Sequence, residues 1–141
     1  GAVLAEDRSV RGRVLRLRTL LRGRTLLRHQ RWKGAYYLCG YAVEIALKEH
    51  ICKTLGWSGY PETNKEFEAL SSFRTHDLDM LLRLSGIEQE IREKFSGTWA
   101  GIRDWNPKLR YVAPDEQSEE KARNMVARTK VFLEALWTST P

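Results

Sequence analysis

The stretch of residues 31–52, RWKGAYYLCGYAVEIALKEHIC, constrains the fold most, because it is mostly apolar and its apolar residues do not keep to one helical face. One set of these apolar residues follows helical spacing: Trp32, Ala35, Leu38, Cys39, Ala42, Val43, Ala46, Leu47 and Ile51. Other faces carry Tyr36, Tyr37, Tyr41 and Ile45. A helix that is apolar nearly all round packs inside a bundle, so the sequence predicts a central helix with several neighbours.

Two charged residues interrupt this helix at its middle. Glu44 and Lys48 are four residues apart in the order that favours a helical ion pair. Burying either charge alone is costly, so we expect a structural ion pair, with Arg110 as a further partner of Glu44. The alternative is that Glu44 contacts a ligand or takes part in catalysis.

The other segments predict an all-α fold. Gly34 and Gly40 on the central helix predict close approach by a neighbour, and Gly56 predicts its end. We expect an up-and-down bundle of four long helices plus one or two short helices, with residues 1–9 as a flexible N-terminus and residues 10–138 as one domain. The predicted helices cover residues 10–27, 31–55, 75–86, 87–95 and 118–136, where Thr75 and Ser118 are the expected N-caps.

Cysteine and histidine spacing argues against a metal site. Cys39 and Cys52 lie 13 residues apart on one predicted helix, about 20 Å, which is too far for a disulfide between them. The sequence has no CxxC and no phosphate-cradle motif, so we expect neither a metal nor a cofactor. Free thiols indicate a reducing compartment, hence the cytoplasm, and no apolar run reaches the ~20 residues of a membrane span.

The positive charge is concentrated in one segment. The chain has a formal net charge of +6, but residues 1–33 carry ten Lys and Arg against two acidic residues. An arginine-rich helix is suited to phosphate contacts, for which Arg24 and Arg28 are candidates. The alternatives are a solvated basic face and a face neutralised by acidic residues of this chain or of a partner.

Two further features have both structural and functional interpretations. Trp99, Trp105 and Tyr111 surround a loop with two prolines, where aromatic residues cap a bundle end or stack on bases. Tyr111 is therefore a candidate nucleotide-binding residue.

His76 follows the expected N-cap Thr75, and we interpret it as a turn or surface residue.

Three segments resemble HEPN domains, a family of helical bundles. WKGAYYLCGYAVEIALKEHI is similar to the family helix A-x-Y-L-x-G-Y-A-x-E-x-x-L-K, THDLDMLL to its H-x-L-x-x-L helix start, and WNPKLRY to the W-x-x-x-x-R-Y loop of one branch. The similarity is ordered and spans residues 15–136. It implies an up-and-down bundle, a homodimer, and a minimal nucleotidyltransferase as a possible partner.

The resemblance also carries an expectation about activity. Many HEPN proteins are RNases of toxin–antitoxin, defence or RNA-processing systems, with an Arg followed four to six residues later by His on a late helix. Here Arg123 and Asn124 are present, but Arg128 occupies the His position, and arginine is not a general base near neutral pH. We therefore expect a non-catalytic module that contacts RNA, a nucleotide or a nucleotidyltransferase. Its candidate binding residues are Arg123, Arg128, Arg24, Arg28 and Tyr111.

The alternative is a metal-independent endoribonuclease of a toxin–antitoxin or defence system. Its catalytic residues would be Arg123 and Asn124, with His76 as the histidine.

Overall fold

A computed structural model of the chain describes residues 18–26, 28–29, 31–108 and 119–138. These residues confirm the all-α class, and no strand occurs among them. In chain order the helices are α1 over residues 18–26, α2 Trp32–Leu55, α3 Asn64–Phe67, a 3₁₀ helix Ser71–Phe73, α4 Leu78–Ser85, α5 Glu88–Lys94, α6 Ser96–Ala100 and α7 Glu119–Thr138.

The central helix α2 is present as predicted and is buried on several sides. Ten of its 24 residues are buried, Glu44 and His50 among them. It ends at Gly56, whose φ of 69° lies in the left-handed region and whose backbone N–H bonds to the carbonyls of Cys52 and Lys53. A glycine adopts this conformation without the strain that a Cβ would introduce, which explains why the helix stops there.

Helix α1 packs closely on the first half of α2. A Cβ on Gly34 would lie 2.9 Å from Leu26 Cδ1, and one on Gly23 would lie 3.4 Å from Cys39 Sγ. Residue numbers therefore rise along α1 as they fall along α2, and the two helices run in opposite directions. The close approach predicted at Gly34 is made by the Leu26 side chain.

Helix α7 forms the other main contact of α2 and runs in the same direction. Arg123 lies over Trp32 at the start of α2, and further along Thr129 faces Cys39. Burial raises the pKa of the Cys39 thiol to about 12, and the Thr129 hydroxyl lowers it by less. The thiol is therefore neutral and serves as a small apolar core group.

Helix α4 returns alongside the second half of α2. His76 lies against Glu44 and the Thr54 hydroxyl donates to the Ser85 carbonyl, so α4 runs in the same direction as α2. Its N-cap is Asp77 and not Thr75: Asp77 Oδ1 accepts from the backbone N–H groups of the next turn. The Thr75 hydroxyl accepts instead from the Asp77 N–H, in a turn that precedes the helix.

The segment after α5 crosses back toward the start of α2. Trp99 of α6 packs on Phe132 of α7, with ring centroids 5.2 Å apart, and both are buried. Trp105 is 1% exposed, and its indole covers Gly40 so closely that a Cβ there would overlap the ring. The predicted close approach at Gly40 is thus made by an aromatic side chain.

Helix length differs from the expectation of four long helices. Within the described ranges only α2 and α7 exceed ten residues, whereas α3 to α6 have four to eight residues each. Gly86, with φ of 86°, separates α4 from α5, and a break at Phe95 separates α5 from α6. None of the described helices combines the length and the apolar character that a membrane crossing needs.

Candidate functional site

Glu44 is a buried carboxylate whose two oxygens each have a partner. Its side chain is 5% exposed, Lys48 Nζ lies 3.3 Å from Oε2, and His76 Nδ1 lies 2.9 Å from Oε1. Two partners offset much of the desolvation penalty of a buried charge. The structure thus forms the Glu44–Lys48 pair and adds His76, while the predicted partner Arg110 lies outside the described residues.

The environment of this carboxylate is aromatic. The Tyr60 ring lies under Lys48, with Nζ 5.0 Å from the ring centroid, and its hydroxyl donates to the Phe73 carbonyl. Burial raises the pKa of Tyr60, and electrostatic interactions with Cys52 and Glu44 raise it further. Burial likewise raises the pKa of Tyr41, with Glu44 and Tyr37 adding to it. Both phenols therefore stay neutral at physiological pH.

His76 is held on one side and open on the other. An ionised carboxylate only accepts hydrogen bonds, so Nδ1 carries the proton that bonds to Glu44. The imidazole side chain is 64% exposed, and no described residue bonds to its Nε2. When the ring is neutral, this tautomer presents the Nε2 lone pair to solvent.

The candidate arginines of α7 are exposed and engaged with nearby groups. Arg123 Nε donates to Glu119 Oε1 at 2.8 Å, and its guanidinium carbon is 5.8 Å from the centre of the Trp32 ring. Arg128 passes over the backbone of Gly101, where it leaves no room for a Cβ. Asn124 is exposed beside Arg123.

The basic residues gather at one end of α2. Arg24 and Arg28 are exposed at the end of α1, which packs on the first turns of α2, and Arg123 lies on the first residue of α2. His76 is elsewhere: its partner Glu44 is 12 residues from Trp32, about 18 Å along the helix axis. The structure therefore does not bring His76 together with Arg123 and Asn124. Tyr111 lies outside the described residues.

The sequence analysis missed a second polar centre, at Asp79. Its carboxylate accepts from Trp99 Nε1 at 2.8 Å, Arg92 Nη2 at 3.1 Å and Arg103 Nη2 at 2.9 Å. Burial alone would raise the pKa of Asp79, but the Trp99 and Arg92 hydrogen bonds and the charges of Arg103 and Arg92 outweigh it, so the pKa is lowered. This centre ties α4 to α5 and α6, and we assign it a structural role.

Two searches gave negative results. Within the described ranges, no group of three or more His, Cys, Asp or Glu side chains is arranged to hold a metal ion. Comparison with protein-family models, with curated proteins and with solved structures gave no match for this chain.

Proposed function

We propose that this chain is a HEPN-type helical bundle that acts as a non-catalytic binding module for RNA. In this proposal α1, α2, the α5–α6 segment and α7 take the four long positions of an up-and-down bundle, and residues 10–138 are one domain. Support comes from the alternating directions of α1, α2, α6 and α7, with α4 as an insertion between the second and third positions. A homodimer, a nucleotidyltransferase partner and a cytoplasmic location belong to the same proposal.

The observation that carries RNA binding is the arginine row on α1. Four exposed arginines, Arg18, Arg22, Arg24 and Arg28, form two pairs at i,i+4 spacing, and none has an ion pair with another residue that the structure describes. Like charges at this spacing destabilise a helix by about 0.2–0.5 kcal/mol per pair. A polyanion bound along the row would remove that repulsion.

The row continues onto the end of the bundle where Arg123 stacks on Trp32. An arginine on an aromatic ring offers both a charge for phosphate and a planar group that can stack on a base. Arg24, Arg28 and this pair lie at one end of α2, so a single strand could contact them together. A free nucleotide carries the same phosphate and base groups and is a smaller alternative ligand.

We favour binding over endonucleolytic cleavage because α7 carries no histidine at the position where the family has one. Arg128 stands at the position of the family histidine and packs on Gly101, and His76 is held against Glu44. Metal-independent RNA cleavage needs a group that takes the 2′-hydroxyl proton, and a guanidinium cannot do so near neutral pH.

The binding test compares two charge-matched double variants. We expect wild type to bind fluorescein-labelled single-stranded RNA in an anisotropy titration, and R24A/R28A to bind about tenfold more weakly at low salt. If two phosphate contacts are lost, the slope of log K against log salt falls by about 1.4. The control R83A/K94A removes two exposed positive charges from α4 and α5 and should bind like wild type.

Equal loss in both double variants, or no binding by wild type, would contradict the proposal. The same RNA is also analysed on a denaturing gel after incubation. Specific cleavage that disappears in R123A would replace the binding module by the endoribonuclease.

A further inference from the structure

The Glu44–His76 pair has features that RNA binding does not explain. One oxygen of the buried Glu44 carboxylate contacts Lys48 and the other contacts His76, yet the His76 side chain lies largely in solvent. A second exposed histidine, His29 in the connection between α1 and α2, forms no ion pair with a described residue. The chain therefore offers two exposed histidines for comparison: His76, which a carboxylate holds, and His29, which has no such partner among the described residues.

The orientation has a chemical consequence for Nε2. Because Nδ1–H donates to Glu44, the neutral form of this largely exposed ring has its lone pair on Nε2. When Nε2 bonds to an electrophile the ring becomes positively charged, and the adjacent carboxylate stabilises that charge. A nucleophile whose neighbouring base is itself held in place is the usual arrangement for covalent group transfer.

The surrounding charges favour a dianionic group on that nitrogen. Lys48, which is 24% exposed, contacts the other oxygen of the same carboxylate and adds a positive charge to the pair. His76 also precedes Asp77, the N-cap of α4, an eight-residue helix whose N-terminus carries partial positive charge. The opposing Asp77 carboxylate is occupied in capping that helix, and Asp79 is bonded to two arginines.

We propose that His76 Nε2 is a phosphoryl-acceptor site of this protein. The Nε2 lone pair attacks the phosphorus of a reactive donor, such as a phosphoramidate or an acyl phosphate. An N–P bond forms and the P–N or P–O bond to the leaving group breaks. The leaving group departs with the electron pair of that bond. The Nδ1–H bond to Glu44 balances the charge on the phosphorylated ring. Glu44, which holds the ring, lies 12 residues from Trp32, about 18 Å along α2.

The experiment uses phosphoramidate as the donor and intact-mass spectrometry as the readout. Wild type should gain one acid-labile phosphoryl group. H76Q should lose that gain, and H29Q should retain it. In E44Q the rate should fall about tenfold, as it does when the partner that orients a histidine is removed. Circular dichroism on each variant establishes that it is folded.

A second measurement uses only the wild-type protein and does not depend on any variant. The ¹⁵N chemical shifts of the neutral His76 ring should identify Nε2 as the unprotonated nitrogen, and after phosphorylation the ³¹P coupling should place the group on Nε2. If His76 were purely structural, it would form no adduct, or it would form one no faster than His29 does. Either result, or a phosphoryl group on Nδ1, would overturn the proposal.

Discussion

Replacing Asp79 with alanine is expected to lower the free energy of unfolding by about 2–4 kcal/mol. The buried Trp99 indole N–H would lose its partner, which costs about 1–3 kcal/mol. The two arginine contacts add less, because both guanidinium groups are exposed and screened by water. Urea denaturation followed by circular dichroism measures the change.

The control for this variant is D104A. Asp104 is exposed and forms no hydrogen bond or ion pair with a residue that the structure describes, so its loss should change the free energy of unfolding by less than about 0.5 kcal/mol. If D79A and D104A proved equally stable, the assignment of Asp79 as the tie between α4, α5 and α6 would be wrong.

The same carboxylate predicts how stability depends on pH. The pKa of Asp79 is lower in the folded chain than in the unfolded chain, so folding is stabilised above the ordinary carboxyl pKa of about 3.9. That contribution is lost as the pH falls through the lowered folded value. The unfolding free energy of wild type should therefore decrease more steeply in this acid range than that of D79N.

Replacing Gly40 with alanine should also destabilise the chain, by about 1–3 kcal/mol. Alanine normally strengthens a helix interior by about 1 kcal/mol relative to glycine. Here the added Cβ would overlap the buried Trp105 indole, a rigid ring that has to move as a whole. The overlap outweighs the gain in helix propensity, and a lowered urea midpoint with an unchanged slope is the expected result.

Gly97 provides the matched control for Gly40. It is also helical, in α6, but a Cβ there would meet no atom within 4 Å. G97A should be neutral or stabilising by up to about 1 kcal/mol. A stabilised G40A would show that Trp105 does not lie on this glycine.

The sequence predicted the local features of α2 well. Its extent, its burial on several faces, its end at Gly56 and the close approaches at Gly34 and Gly40 follow from apolar spacing and from residues without a Cβ. The side chains that pack against these glycines were less predictable. Trp105 is 65 residues from Gly40 in the chain, and no local pattern specifies which side chain fills a gap at that separation.

The candidate site shows the same limit. A charge in the middle of an apolar helix predicted that Glu44 needs partners, and Lys48 is one turn away on the same helix. His76 is 32 residues distant and reaches Glu44 only because the segment between α2 and α4 folds back. Asp79 was missed because its three donors come from elements whose packing no single segment determines.

The pairing of α2 with α7 has a consequence for the folding rate. Cys39 and Thr129, which face each other across these helices, are 90 residues apart in the chain. Non-local contacts of this kind close a long loop before they contribute stability, and they slow folding relative to bundles built from neighbouring helices. During synthesis the apolar faces of α2 would remain partly uncovered until α7 emerges, at about 5–20 residues per second. This interval is when the chain is most exposed to aggregation.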